Sequence, residues 1–407
     1  MKKTVLREYA KLIAKVGANV QKGQEVFITA ELDQPEFVAM VVDECYKLKA
    51  KKVVVDWSYQ PLTKLHVRYR SVKTLSTLDN YEEARWQHYV DTIPCRIYLI
   101  SEDPDGLRGV NQEKMAKSQQ AKYPIIKGYR DQIENKYQWC IAAVPGEKWA
   151  KKLFPELRAS QAVEKLWDAI LKTSRVTGDP IQAWNDHNKD LNDRCEYLNN
   201  LHIRELRYKS SNGTDFTVGM IPEAQFCGGG ETSLQGIFFN PNIPTEECFI
   251  SPMRGVAEGI VYATKPLSYQ GQLIDGFWIR FHEGKAVEWH AEENNELLTK
   301  LIEMDEGSRY LGECALVPFD SPINQTGLLF YNTLFDENAC CHLALGMGFA
   351  DTIQDFQNKT LDECRKLGVN DSMIHEDFMI GSADLSIDAV CEDGKTVAIF
   401  RNGTWAF

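Results

Sequence analysis

The sequence predicts an α/β N-terminal domain with a mostly parallel sheet, followed by an α+β C-terminal domain rich in antiparallel strands. Three observations carry this expectation. Strand and helix patterns alternate through the first half, a polar stretch follows near residue 190, and beyond it paired apolar runs flank Asn-Gly and Asp-Gly turns. A chain of 407 residues also exceeds the size at which one core usually stops growing, so domains over 1–190 and 191–407 are expected.

Taken in order, MKKTVLREYAKLIAKVGANV starts with basic residues like a signal peptide, but Arg7, Glu8, Lys11 and Lys15 interrupt it. Its apolar positions Leu6, Tyr9, Ile13 and Val16 have helical spacing, which predicts an amphipathic first helix. Gly23 to Ala30 reads as a buried strand, Gln34 to Ala50 as a helix and Lys51 to Trp57 as a second strand; Cys95 to Ser101 and Tyr137 to Pro145 are further strands. Such alternation invites a dinucleotide site, but the turn after the first strand, ITAELDQPE, has no glycine where that fingerprint needs three.

Thr173 to Asn200 is polar and predicts a partly helical crossing between the domains. Hairpins follow at Asn212-Gly213, Glu283-Gly284, Asp393-Gly394 and Asn402-Gly403, with helices near Asn294 to Met304 and Leu361 to Leu367. The glycines Gly228 to Gly230 could form a phosphate nest or a lid. No Lys-Ser or Lys-Thr completes a P-loop, so a flexible loop is the expectation.

Composition narrows the function classes. Hydrophobic residues at 43% and charged residues at 26% are ordinary for a globular protein, and a net charge of −12 argues against a nucleic-acid partner. No run approaches the roughly 20 apolar residues that span a bilayer, so a soluble, cytoplasmic protein without a membrane partner is expected. Eleven cysteines without a C-x-x-C pair fit reduced thiols. Cys248, Cys314 and Cys341 adjoin Glu247, Glu313 and His342; on a strand they point the other way, into core packing.

The segment HEDFMIGSADLSID places His375 and Asp377 two residues apart, on one face of a strand. Either the pair is simply hydrogen-bonded at a sheet edge, or both residues ligate metal. Three other segments add donors: Glu246 and Glu247 in NIPTEECFISP, Glu313 in SRYLGECALVPFDSP, and Asp336, Glu337 and His342 in LFDENACCHLALG. Two imidazoles with several carboxylates suit Zn²⁺, Co²⁺ or Mn²⁺ better than a Cys-rich structural zinc.

In order, NIPTEECFISP, YLGECALVP, FYNTLFDENACCHLALG and GVNDSMIHEDFMIGS resemble the signature segments of the M29, or aminopeptidase T/S, family of metallopeptidases. The likeness runs from VQKGQEVFI through SNGTDFTVGM to FRNGTWAF. It implies a cytoplasmic, dimeric, two-domain exopeptidase acting on peptides, with two divalent metal ions in its C-terminal domain. The metal ligands it implies are Glu247, Glu313, Glu337, His342, His375 and Asp377, with Glu313 bridging. Glu246 is the alternative carboxylate beside Glu247, and Glu313 or Glu246 would accept a proton from the attacking water.

One position departs from the family pattern. Seven residues after His342, where the family carries a tyrosine, this chain has Phe349, which cannot donate a hydrogen bond to an oxyanion. Tyr310 and Tyr331 are the nearest replacements in sequence. Two rivals to an active aminopeptidase therefore remain: a metal-dependent hydrolase or isomerase of another substrate, and a peptidase-like protein that binds peptide or metal with weakened catalysis.

Overall fold

The computed structural model describes residues 1–407, which divide into two compact units: 1–187 with 230–244, and 188–229 with 245–407. In the first unit, β1 (Glu25–Glu31), β2 (Lys52–Ser58), β3 (Cys95–Ile100) and β4 (Trp139–Ala143) form a parallel sheet in the order β4-β3-β1-β2. Val26, Ile28, Ile97, Leu99, Cys140 and Ala142 share one face of it and are buried, while Arg96, Tyr98 and Ile100 on the other face of β3 are half-buried.

The first helix, Lys3–Leu12, continues as a π-helical turn over Ile13–Gly17. Its Tyr9 stacks on Phe37, from the helix Pro35–Lys47, at 5.4 Å between ring centroids, and meets Trp167 edge-on at 6.3 Å. Gly17 is required where this helix nears the sheet, since a Cβ there would lie 2.5 Å from Cys140 Sγ.

The polar stretch expected to be partly helical is an uninterrupted helix over Pro180–Asn200, anchored by buried Trp184, whose indole N–H donates to the Ser174 carbonyl. Farther along, Gly230–Pro244 belongs to the first unit, where Asn242–Ile243 pairs with β4 as a fifth parallel strand.

The second unit holds a nine-stranded sheet, and all four expected hairpins occur in it. At Glu283-Gly284 and Asn402-Gly403 both central residues have positive φ, the geometry that matches the twist of a tight hairpin. A second, five-stranded antiparallel sheet contains β5 (Cys248–Ile250), β6 (Leu311–Leu316), β7 (His342–Gly346) and β8 (His375–Met379), in the order β8-β7-β6-β5 with Cys227–Gly228 outside β5. One face of this sheet carries Cys248, Ile250, Cys314, Leu316, Leu343, Leu345 and Phe378 into the core. The cysteines adjoining the acidic residues are thus core residues.

The glycine run is a close-packed edge, not a free loop. Gly228 pairs with Cys248, and a Cβ on it would lie 2.6 Å from the Glu247 carbonyl oxygen.

Candidate metal centre

The face opposite that core is set by register. Glu313 on β6 lies across from Ala344 on β7, which lies across from Asp377 on β8. Directly paired residues share a face, and so do residues two apart, so Glu313, Asp377, His342 and His375 all project to one side. Phe249 pairs with Ala315 and stands on the same face, and Glu247 immediately precedes β5. A bulge at Gly312 lets β6 approach the turn after β7: a Cβ there would lie 2.1 Å from the Met347 carbonyl oxygen.

These side chains converge. His342 Nε2 is 3.2 Å from Glu247 Oε2, 4.0 Å from Glu313 Oε1 and 3.9 Å from Asp377 Oδ1. His375 Nε2 is 3.1 Å from Glu313 Oε2 and 3.4 Å from Asp377 Oδ1. Two three-donor groups result, Glu247 with Glu313 and His342, and Glu313 with His375 and Asp377; within each the donor atoms lie within 4.8 Å of one another.

Glu337 and Glu246 are outside both groups. Glu337 is buried with its carboxyl against that of Asp377, and accepts a hydrogen bond from Asn338 Nδ2 at 3.1 Å. Glu246 is buried, and its backbone N–H donates to Asn338 Oδ1 at 2.7 Å. Asn338, which the sequence reading did not single out, thus ties both acidic segments together; its place inside the DEN triplet was the available signal. Asp336 turns elsewhere, accepting the backbone N–H groups of Phe330 and Asn332.

The electrostatics are those of carboxylates crowded out of water. Burial, reinforced by the charges of Glu247 and Asp377 against an opposing bond from His375, lifts the Glu313 carboxyl to about 7. Burial and the charges of Asp377, Glu247 and Glu313 push Glu337 well above its usual range. Burial would lower the His342 imidazole, but the hydrogen bond and charge of Glu247 outweigh it and raise the group to about 9. Asp377 and Glu313 likewise carry His375 well above its ordinary value against burial. For Asp377, burial is overcome by the two imidazoles and the carboxyl is held low.

This donor set fits divalent cations. Each imidazole has its Nδ1 beside a backbone carbonyl, His342 at 3.3 Å from Cys340 and His375 at 2.7 Å from Met347. Nδ1 therefore carries a proton toward the carbonyl and Nε2 is directed at the carboxylates, which is how a histidine that ligates metal through Nε2 is oriented by its other nitrogen. Asp377 Oδ1 is buried without a hydrogen-bond partner, a costly state that a cation would relieve.

Comparison with known proteins places the whole chain. The family profile described as thermophilic metalloprotease (M29) matches residues 2–405. The chain belongs to the M29 metalloprotease family. It is 40% identical to aminopeptidase 2 of Geobacillus stearothermophilus over 404 residues, 99% of this chain and 98% of that one. It is 39% identical to aminopeptidase AmpS of Bacillus subtilis over 99% of this chain and 98% of the relative. The solved structure of wild-type AmpT from Thermus thermophilus superposes on this M29 chain with a TM-score of 0.88 at 35% identity, each chain fully covered at 100%. A dioxygenase of Pseudomonas putida, at a TM-score of 0.51 and 13% identity, shares the fold alone.

Phe349 lies at this centre. Its ring is 4.7 Å from the His375 ring, tilted by 46°, and it meets Phe249 edge-on at 5.6 Å. Tyr310 is engaged elsewhere, under the Arg254 guanidinium at 4.5 Å.

Proposed function

We propose that this chain is a metal-dependent aminopeptidase that holds two divalent cations over the five-stranded sheet and releases the N-terminal residue of a peptide. The observation that carries the two-cation reading is Glu313, whose two oxygens face different imidazoles, Oε1 toward His342 and Oε2 toward His375. A carboxylate so placed would be shared by two cations. Glu247 and His342 would complete one ligand set and His375 and Asp377 the other, with Glu337, whose carboxyl lies against that of Asp377, as a further donor. When bound, the cations would polarise the scissile carbonyl and lower the pKa of the attacking water. Glu313 or Glu246 would accept the water proton. Peptide is the substrate class because the full-length relatives are aminopeptidases.

No helix is long and apolar enough to cross a membrane. All eleven cysteines are free, which supports a reducing, cytoplasmic setting. Zinc, cobalt and manganese all suit the nitrogen and oxygen donors. Assembly as a homodimer rests on the family resemblance, and sedimentation checks it. The deciding experiment measures metal content together with hydrolysis of aminoacyl amides, N-acetylated amides and phosphoesters, with and without chelator. Chelator-sensitive cleavage of free-amine substrates alone is expected; phosphoester cleavage or chelator-resistant activity would refute the reading.

A further inference from the structure

The centre is not equally enclosed on all sides. The side chains of Glu247, Glu313, His342 and Asp377 are 10%, 5%, 1% and 7% exposed, whereas that of His375 is 25% exposed. Substrate must therefore approach from the His375 side. Phe349 stands there with its ring against the imidazole, and Phe249 stands against Phe349.

Both phenylalanines are only partly buried, although Cys248 and Ile250, which flank Phe249 and point to the opposite face of β5, are fully packed. Half-open aromatic rings beside a polar centre retain apolar surface whose removal from water would contribute about 25 cal/mol per Å². Their backbone is also fixed. The Phe349 N–H donates to Ser251 Oγ at 2.7 Å, Ser251 Oγ donates to the Phe349 carbonyl at 3.3 Å, and Thr352 Oγ1 donates to the same carbonyl at 2.7 Å. Ser251 lies two residues after Phe249, so one buried hydroxyl holds the two aromatic segments in register. A rigid, partly open apolar surface next to the reacting groups discriminates between substrates without moving.

We propose that Phe249 and Phe349 form the apolar wall that receives the side chain of the substrate's N-terminal residue, so that the enzyme favours peptides beginning with a bulky apolar residue. This rests on the aminopeptidase reading and names the substrate class of that site. Aromatic surface offers nothing to an acidic or amide side chain, which would lose its water without a partner.

The test uses the metal-replete full chain. Hydrolysis of leucine, phenylalanine, alanine and glutamate p-nitroanilides is measured alongside calorimetric binding of leucine and alanine hydroxamates, for wild type, Phe249→Ala and Phe249→Leu. Wild type should favour leucine and phenylalanine, and Phe249→Ala should reduce the leucine-to-alanine ratio about tenfold, chiefly through KM, with metal content unchanged. Phe249→Leu, which keeps the strand filled, should reduce it about threefold, and serves if the alanine variant does not fold. An unchanged ratio at full metal content, or a wild-type preference for glutamate, overturns the wall. Absence of any turnover with the leucine hydroxamate still bound more tightly would overturn the aminopeptidase reading and support the wall.

Discussion

Carboxylates are treated differently in the parallel sheet of the first unit and in the five-stranded sheet of the second. At the end of β1, buried Glu31 accepts the Ser58 hydroxyl at 2.6 Å, and just beyond it Asp33 accepts the Ser101 hydroxyl at 3.0 Å. In the second sheet Glu313 and Asp377 face imidazoles and other carboxylates, and Asp377 Oδ1 has no hydrogen bond at all. A buried carboxylate that accepts a hydroxyl has a hydrogen-bond donor for its oxygen, whereas one whose oxygen finds no donor among imidazoles and other carboxylates invites a cation. Burial and acidity are common to both sheets. What separates them is the partner.

The largest test of that contrast is Glu313→Gln, which keeps the volume and removes the charge that faces both imidazoles. Metal content by mass spectrometry should fall, and kcat/KM should drop about a thousandfold or more; a metal-replete, active variant would remove the basis for the contrast.

Removing the cations should expose the crowding as a pH effect. In the metal-free fold His342 is raised to about 9 and Glu313 to about 7, so both bind protons more tightly than in the unfolded chain. Glu313 therefore contributes stability that is lost as pH rises from about 4.3 to 7, and His342 stability that is lost from about 6.5 to 9. The chelated protein should melt at a lower temperature at pH 9 than at pH 6.5. The loaded protein should show the reverse trend on the acid side, because protons compete with cations for the same atoms and occupancy and rate fall together. Thermal melts with and without chelator check this; a chelated protein that is more stable at pH 9 contradicts it.

Phe349→Tyr sharpens the contrast from the substrate side. The ring already lies against His375, so the added hydroxyl is expected to supply a donor near the reacting atoms and to raise turnover about tenfold or more at constant metal content. A variant less stable and no faster would show that the para position points into packed protein. The smallest effect belongs to the first sheet. Glu31→Gln should cost about 1 kcal/mol in denaturant melts and leave activity intact; loss of activity there would mean that the hydroxyl-bonded carboxylate also serves the chemistry.

Local chemistry made much of this architecture readable in the sequence. The strands β1 to β4 show as short β-rich runs, the hairpins as turn residues able to take positive φ, and the shared face of His375 and Asp377 as a spacing of two. Gly230–Pro244 could not be placed this way, since two residues pairing with β4 leave no periodic mark. The continuity of the helix Pro180–Asn200 was also hidden, because its polar surface outweighs the few buried residues such as Trp184 and Leu191. The row Glu313, Ala344, Asp377 is a product of strand register, and register between strands some thirty residues apart or more is fixed by the whole sheet. Asn338 and Phe249 were missed for the same reason: their partners are distant in sequence.

Ala344 gives that row a further significance. It places a single methyl group between two strands that carry carboxylates, and neighbouring strands are about 4.8 Å apart, so the backbones bearing Glu313 and Asp377 are separated by roughly 10 Å. The sheet thereby acts as a ruler. The backbone repeat fixes how far apart the two carboxylates are anchored, their side chains lean together until the oxygens come within 4.8 Å, and a branched side chain at 344 would fill the space beneath them without replacing a ligand.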